Sequence, residues 1–285
     1  MVSAPQRRVQ VVYARKRGAS CRRACELLRV ARSALGYESR FALRDAAARE
    51  VMRELSTQFP RFGYRRIAVL LGRRGHAMNA KRAYRLWRQL RLQVPKKRPR
   101  RRVASSRPRA NAPLEANGVW AYDFVFDACS NGQKLKCLTV VDEHTRECLA
   151  IDVRGSLRGP RVVEVLTRLV SMRGAPKIIR SDNGPEFVSL AVLGWLDRNR
   201  INTSFIAPGK PWQNGLNESF NGKFRDECLN LEWFRTRAEA AVLIETWRRH
   251  YNEERPHSSL DYLTPLEFRT KAKQPTTPNT EANVR

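Results

Sequence analysis

The sequence has no long apolar run. No window of it reaches the roughly 18 consecutive apolar residues that a membrane span requires. Its first residues, Met-Val-Ser-Ala-Pro-Gln-Arg-Arg, do not form the apolar core of a secretory signal. These absences predict a cytoplasmic protein with no membrane partner.

Paired metal-ligand and nucleotide-binding motifs are absent as well. The six cysteines show no CxxC spacing and no nearby pair of histidines, which favours reduced core thiols over a zinc site. Cys21 and Cys25 share a helical spacing, but no second ligand pair lies close to them in the sequence. Glycine motifs of the Walker or dinucleotide type are also missing, which is typical of a reaction that does not use ATP.

Acidic residues are scarce in the N-terminal part of the chain. Residues 1–110 hold 31 lysines and arginines against 5 acidic residues, a balance of +26, whereas the other 175 residues hold 24 against 22. A basic block of that density predicts a region that binds a polyanion. The alternative is a cationic surface that serves only solubility. With 285 residues and 42% hydrophobic content, the chain is long and apolar enough for one or two domains with proper cores.

The composition divides the chain into four segments. Residues 1–92 show helical patterns, and residues 93–113 are basic, rich in proline and poor in large apolar groups, which predicts an extended linker. Residues 114–270 alternate strand and helix patterns, and residues 271–285 form a polar tail that we expect to fray.

The helical segment contains two candidate helix-turn-helix units. In the first, Ser20 is the expected N-cap of a helix that runs to Leu28, and a second helix is predicted over Arg32–Gly36. The second unit pairs Phe62–Leu71 with Asn79–Leu90.

The last of these helices has an apolar stripe and a basic face, which suits contact with a DNA groove or backbone. The residues predicted to contact DNA here are Lys81, Arg82, Arg85 and Arg88, together with Arg65 and Arg66 of the preceding helix. The alternative is a helical hairpin that packs on its own protein and leaves its arginines in solvent. No base specificity can be derived from either pattern.

The third segment predicts an α/β domain. Its elements follow the order of three strands, then helix, strand, helix, strand and helix, which is that of a ribonuclease-H-like fold with a mixed sheet flanked by helices. The predicted strands are Val119–Phe126, Lys136–Val141, Cys148–Val153, Lys177–Arg180 and Asn202–Ile206. The predicted helices are Val162–Met172, Val188–Asn199 and a helix that contains Glu218.

Three carboxylates stand at chemically informative places in this layout. Asp123 lies inside an apolar strand, where an unpaired charge is costly and a cation partner is expected. Asp182 follows a strand and Glu218 lies on a helix. Taken alone, Asp182 fits a turn before Gly184, and Glu218 fits a solvated helix face. Taken together, the three carboxylates are the oxygen ligands that a two-metal phosphoryl-transfer site needs.

The chain resembles the OrfB transposases of bacterial insertion sequences, which belong to the retroviral-integrase superfamily. The resemblance covers residues 15–270 and rests on the runs Trp120–Asp123, Arg180–Phe187, Gln213–Phe220 and Tyr251–Leu260. The upstream runs Phe62–Arg66 and Lys81–Leu86 resemble the family's helical domain. One departure is Val125, where many relatives carry threonine two residues after the first aspartate.

The resemblance implies a DDE triad of Asp123, Asp182 and Glu218 that holds two Mg²⁺ ions, with Mn²⁺ as a substitute. It implies 3′-end cleavage by water, followed by attack of the released 3′-OH on target DNA. A basic residue at Arg225 would hold the scissile phosphate. The remaining DNA contacts expected in this part of the chain are Asn221, Asn214, Lys210 and Trp212.

The expected partners are double-stranded DNA at the element ends and the target, further copies of the chain in a synaptic complex, and an upstream-frame fusion or partner domain. The expected location is the bacterial cytoplasm, in association with the nucleoid. Two other functions stay open. The chain could be a regulatory or incomplete subunit that binds element DNA without turnover, or a structure-selective nuclease of ribonuclease H fold.

Overall fold

A computed structural model describes residues 3–37, 40–95, 113–182, 184, 186–205 and 215–273 of the chain. They belong to two compact units, Met1–Leu55 and Ser56–Arg285. The predicted linker and tail fall largely on residues 96–112 and 274–285, outside the described residues. The division into four segments therefore stays a prediction.

The first unit is helical. Its elements are α1 (Ala4–Lys16), α2 (Cys21–Leu27), a 3₁₀ turn (Arg32–Ala34), α3 (Arg40–Arg44) and most of α4 (Ala46–Gln58). Ser20 caps α2 as predicted, since its hydroxyl accepts a hydrogen bond from the backbone N–H of Arg23 at 3.3 Å. The helix predicted over residues 32–36 is wrong, because only the 3₁₀ turn forms. A run this short before a glycine cannot offset the cost of nucleating an α-helix.

The second unit begins with a pair of packed helices, α5 (Tyr64–Arg73) and α6 (Ala80–Gln89). The side-chain amide of Asn79 caps α6 by accepting from the backbone N–H of Arg82 at 2.8 Å. The predicted apolar stripe of α6 is confirmed, because Ala83, Leu86 and Trp87 are buried.

A five-stranded mixed sheet forms the centre of the second unit. Its strands are β1 (Val119–Ala128), β2 (Lys134–Asp142), β3 (Cys148–Arg154), β4 (Ile178–Ser181) and β5 (Asn202–Phe205). Their spatial order is β3-β2-β1-β4-β5, with β1, β2 and β3 antiparallel in turn and β4 and β5 parallel to β1. The predicted ribonuclease-H-like architecture is confirmed.

Helices cover both faces of the sheet. The second unit also contains α7 (Gly159–Arg173), α8 (Leu190–Arg198), α9 (Gly215–Phe224), α10 (Arg237–Glu253) and α11 (Pro265–Lys273), and a π-helical segment (Arg225–Leu229) continues α9. Side chains of α7 and α8 pack around Trp120 and Tyr122 on one face, whereas those of α9 and α10 pack around Val125 on the other. This split follows the alternation of side chains along β1.

The structure also bears on the cysteines and on the possibility of a membrane span. The six cysteines are free thiols, and five of them are buried, in agreement with reduced core residues. Among the helices of the described residues, none is long and apolar enough to cross a membrane.

Candidate active site

Asp123 lies near the middle of β1, on the sheet face that α9 covers. Its side chain is half-buried. Oδ1 accepts a hydrogen bond from the backbone N–H of Phe124 at 2.8 Å, and Oδ2 accepts one from Nδ2 of Asn221 at 2.9 Å. These two donors stabilise the carboxylate inside an otherwise apolar strand.

A buried threonine on the neighbouring strand completes this arrangement. Thr139 Oγ1 lies 3.2 Å from the carbonyl oxygen of Asp123 and 3.4 Å from Oδ1 of Asn221, so it can donate to either oxygen. Because the Oδ1 end of the Asn221 amide faces Thr139, its Nδ2 end faces Asp123. Asn221 therefore orients the first carboxylate of the predicted triad.

Asp182 is the first residue beyond β4, which lies beside β1. The parallel register pairs Ala121 with Arg180, so two further residues along both chains bring Asp182 level with Asp123. Adjacent strands are about 4.8 Å apart. The exposed Asp182 side chain accepts a hydrogen bond from the backbone N–H of Gly184 at 3.0 Å, which is the turn that the sequence also allowed.

Aromatic packing anchors the chain that follows Asp182. The buried Phe187 stacks on Phe124, with ring centroids 4.5 Å apart, and meets Tyr122 edge-on at 4.2 Å. Burial raises the pKa of the Tyr122 phenol and the nearby charge of Asp182 raises it further, while a hydrogen bond with Ser181 opposes both effects. The phenol is therefore a neutral support for this turn.

Glu218 lies in the first turn of α9, with its side chain exposed. The residues on either side of it in the helix attach α9 to β1. Asn217 is fully buried and donates from Nδ2 to the carbonyl oxygen of Tyr122 at 3.2 Å, and Asn221 binds Asp123 one turn later. Glu218 thus stands in the stretch of α9 that is fixed against the strand bearing Asp123.

Asp123 and Asp182 lie level on adjacent strands and Glu218 lies on a helix bound to β1, but the three carboxylates do not form a metal cluster in this structure. Within the described ranges, no group of three or more His, Cys, Asp or Glu side chains is positioned to hold a metal ion. The donor set itself fits a hard divalent cation, since Asp123, Asp182 and Glu218 offer only oxygen atoms. Two of them sit on or beside rigid strands and one on an anchored helix.

The other residues predicted to contact DNA near this site fall into two groups. Arg225 is exposed at the start of the π-helical segment. Lys210, Trp212 and Asn214 lie outside the described residues.

The basic residues of the two upstream helices differ in their surroundings. Lys81 and Arg88 are exposed on α6, and Arg82 and Arg85 are half-buried. On α5, Arg65 is exposed, with its guanidinium 5.5 Å from the ring centroid of Tyr64. Arg66 is half-buried instead, and one of its guanidinium nitrogens lies 3.5 Å from Glu227. A DNA contact by Arg66 would compete with that ion pair.

Sequence reasoning missed the ion pair between Lys136 and Glu186. Lys136 lies opposite Phe126 in the antiparallel register of β1 and β2, and its ammonium binds the carboxylate of Glu186 and lies 4.1 Å from the ring centroid of Phe124. The pair holds the pKa of Glu186 below its usual range. The alternation of β2 places Lys136 on that face, but no sequence signal connects it to a residue 50 positions away.

Family comparisons agree with this architecture. Residues 113–211 and residues 199–265 match two families described as integrase core domains, and residues 42–101 match an HTH-like domain. The catalytic core domain of HTLV-2 integrase, solved in complex with magnesium, aligns with 55% of this chain and 99% of its own at 20% identity and a TM-score of 0.42.

Three relatives come from insertion elements. An uncharacterized 31.7 kDa protein of insertion element IS407 from Burkholderia multivorans is 46% identical over 88% of this chain and 90% of its own length. An uncharacterized 39.2 kDa protein of IS476 from Xanthomonas euvesicatoria is 43% identical over 87% of this chain and 71% of its own. The transposase InsD of IS2 from Escherichia coli is 29% identical over 74% of each chain.

The family matches define a protein with an integrase core domain and an HTH-like helical segment. Within that class, the chain belongs to the OrfB-type transposases of bacterial insertion sequences, in the retroviral-integrase superfamily.

Proposed function

We propose that the protein is a DNA transposase that cleaves the 3′ ends of an insertion sequence and joins them to target DNA. The observation that carries this proposal is the register of β1 and β4, which brings Asp123 and Asp182 level on adjacent parallel strands. Helix α9, fixed to the same strand by Asn217 and Asn221, brings Glu218 to that region.

Asp123, Asp182 and Glu218 would hold two Mg²⁺ ions, or Mn²⁺ in their place. Bound there, the ions would activate the attacking oxygen and neutralise charge on the leaving oxygen. The protein's own contribution is to orient the ligands, because Asn221 fixes the Asp123 carboxylate and the packing of Phe187 anchors the turn after Asp182.

The two chemical steps use different nucleophiles. Water would attack first and release a 3′-OH, which would then attack a phosphodiester of the target. The second step exchanges one phosphodiester for another, so it needs no ATP. Arg225 would contact a phosphate near Glu218, and its exposure one helical turn beyond Asn221 supports this role.

DNA binding would use the basic faces of the helical segments, and strand transfer would require two element ends in one synaptic complex with further copies of the chain. A chromosomal substrate would place the protein at the nucleoid. Of the predicted upstream contacts, Lys81 and Arg88 on α6 and Arg65 on α5 are exposed, which supports a role in binding DNA.

The test is metal-dependent cleavage of a labelled duplex that carries the element's own end, compared between wild type and Asp182→Asn. We expect cleavage to be lost and DNA binding to be retained. Asp127→Asn is the matched control, because Asp127 lies on the same strand and sheet face as Asp123, about 13 Å further along. Cleavage that survives in Asp182→Asn contradicts the triad. Binding without cleavage in wild type, even with paired ends, supports the regulatory role instead.

A further inference from the structure

The π-helical segment after α9 is held by a buried ion pair that the proposed chemistry does not use. Glu227 accepts hydrogen bonds from Nε and Nη2 of Arg255 at 2.6 and 2.5 Å. The Arg255 side chain is 1% exposed and that of Glu227 is 9% exposed. Because the pair is bidentate and shielded from water, it fixes the position of the segment more firmly than a surface pair would.

The same carboxylate also faces α5. Arg66 approaches Glu227 to 3.5 Å from the first turn of that helix, and Arg61 approaches Asp226 to 3.7 Å from the residues just before it. Two consecutive acidic residues of the π-helical segment therefore meet two arginines of the α5 region. These contacts attach α5 to the segment that continues the helix of Glu218.

Arg255, Glu227 and Arg66 form a charged network, and a buried aromatic ring lies beside both of its arginines. Phe62 is 3% exposed, and its ring centroid lies 5.2 Å from the guanidinium carbon of Arg66 and 5.6 Å from that of Arg255. Arg255 also lies 5.6 Å from the ring centroid of Tyr251. The start of α5 is thus packed against the network as well as paired with it.

The local charge depends on Glu227. The pKa of Lys223 on α9 is lowered to about 8, mainly by burial; the charges of Arg255, Arg66 and Arg146 act in the same direction, whereas Glu227 opposes them. Lys223 donates to the carbonyl and hydroxyl oxygens of Ser219. A change that removed the negative charge of Glu227 would leave these cations to repel one another beside α9.

Because of the π-helical turn, the position and orientation of α9 depend on this network. A π turn inserts one residue into a helix, so it changes the direction of the side chains that follow, and such turns are frequent at functional sites. Glu218 lies nine residues before Glu227 in a continuous helical stretch, about 13 Å away along the axis. A displacement at one end of so short a helix reaches the other end.

We propose that Glu227 is a positioning residue for Glu218. Held by Arg255 and Arg66, it seats the helix of residues 215–229 against α5 as well as the sheet, so that docking of α5 sets where Glu218 stands beside Asp123. This inference rests on the proposed function, because it assigns Glu218 a ligand role. It predicts that loss of the network raises the metal concentration needed for cleavage and leaves DNA affinity unchanged.

The experiment measures the Mn²⁺ concentration for half-maximal cleavage of the element-end duplex, at saturating DNA, for the full chain. We expect Glu227→Gln to raise that concentration about 10-fold, the scale on which ligand-orienting partners act. Arg66→Met should raise it several-fold. DNA affinity of Glu227→Gln should stay within about twofold of wild type. A merely structural role would lower the active fraction and leave the half-maximal concentration unchanged.

Glu267→Gln is the matched control. Glu267 of α11 binds Arg73 at the far end of α5, at 2.8 and 3.0 Å, so its loss removes an ion pair to the same helix without touching the π-helical segment. A glutamine there still accepts the backbone hydrogen bond that Thr264 donates. We expect this variant to keep the wild-type metal dependence.

The outcomes separate the two claims. Wild type without metal-dependent cleavage overturns the proposed function and this inference with it. Active wild type, with an unchanged half-maximal concentration in both Glu227→Gln and Arg66→Met, overturns the inference alone. If Glu227→Gln does not fold, Arg66→Met decides, because it leaves the pair between Glu227 and Arg255 intact.

Discussion

Replacing His257 with glutamine should remove a defined part of the pH dependence of stability. The His257 side chain is buried, and its Nε2 atom lies 3.2 Å from the carbonyl oxygen of Tyr251. Burial is the main reason that the pKa of His257 falls from 6.5 to about 2; the charges of Arg255, Lys223 and Arg66 act in the same direction, and the hydrogen bond with Tyr251 opposes them. Glutamine can place an N–H donor where the neutral imidazole has one, but it does not titrate.

The sign and size of the effect follow from the two pKa values. The unfolded chain protonates this histidine below pH 6.5 and the folded chain does not, so the stability present above pH 6.5 is lost as the pH falls towards 2. Each pH unit in that window costs up to about 1.36 kcal/mol. Between pH 8 and pH 5, His257 should therefore lower the unfolding free energy of wild type by about 2 kcal/mol. The variant should not show this loss.

The assay is urea unfolding followed by tryptophan fluorescence at pH 8 and at pH 5. Its readout is the difference in unfolding free energy between wild type and His257→Gln at each pH. All other titratable groups are the same in both proteins, so their contributions cancel in that difference. If the difference in unfolding free energy between the two proteins is the same at both pH values, His257 is not buried and neutral in the folded chain, and the reasoning is refuted.

Three further predictions test the surroundings of the site. Arg180→Met should lower the unfolding free energy in urea denaturation by about 3–5 kcal/mol, because it leaves the buried Glu143 without the guanidinium that binds it at 2.6 and 2.7 Å. A loss under 1 kcal/mol would contradict this. Phe187→Ala should cost about 3–5 kcal/mol in the same assay through the cavity it leaves, and should cut cleavage more than DNA binding; equal losses of both would speak against its anchoring role. Asn221→Leu should slow cleavage by about 10-fold in single-turnover kinetics with unchanged DNA affinity, because it removes the hydrogen bond that orients the Asp123 carboxylate. A loss of DNA affinity alone would indicate that Asn221 contacts DNA.

Much of the sheet could be predicted because its strands carry strong local signals. Residues 119–126 combine β-branched and aromatic residues in an alternating pattern, and β1 contains all of them. The strand continues through Asp127 and Ala128, which pair with Leu135 and Lys134. That extension could not be predicted, because partner strand geometry, and not local propensity, decides where a hairpin ladder ends.

The helical segments show the same limit. The periodicity of α6 and its Asn79 cap were readable, since both signals are local. The run of residues 32–36 carried no such signal, and its 3₁₀ turn reflects a stretch too short to nucleate a helix.

The sequence predicts three carboxylates for the candidate site but does not predict the residues that bind them. Asp123 stands out because a charge inside an apolar strand demands an explanation. Its partner Asn221 is 98 positions away, and Glu227 and Arg255 are 28 positions apart. Contacts between residues so distant in sequence depend on sheet order and helix docking, which one sequence does not specify.

The proposed transposase activity is best tested by strand transfer of a labelled element-end duplex into a plasmid, with Mg²⁺ and then with EDTA, beside Glu218→Gln. We expect a joined product that requires both the metal and Glu218. Joined product in the presence of EDTA or from Glu218→Gln would contradict it. Tight binding by wild type with no joined product would also contradict it, and would mean that the chain binds DNA without carrying out transposition by itself.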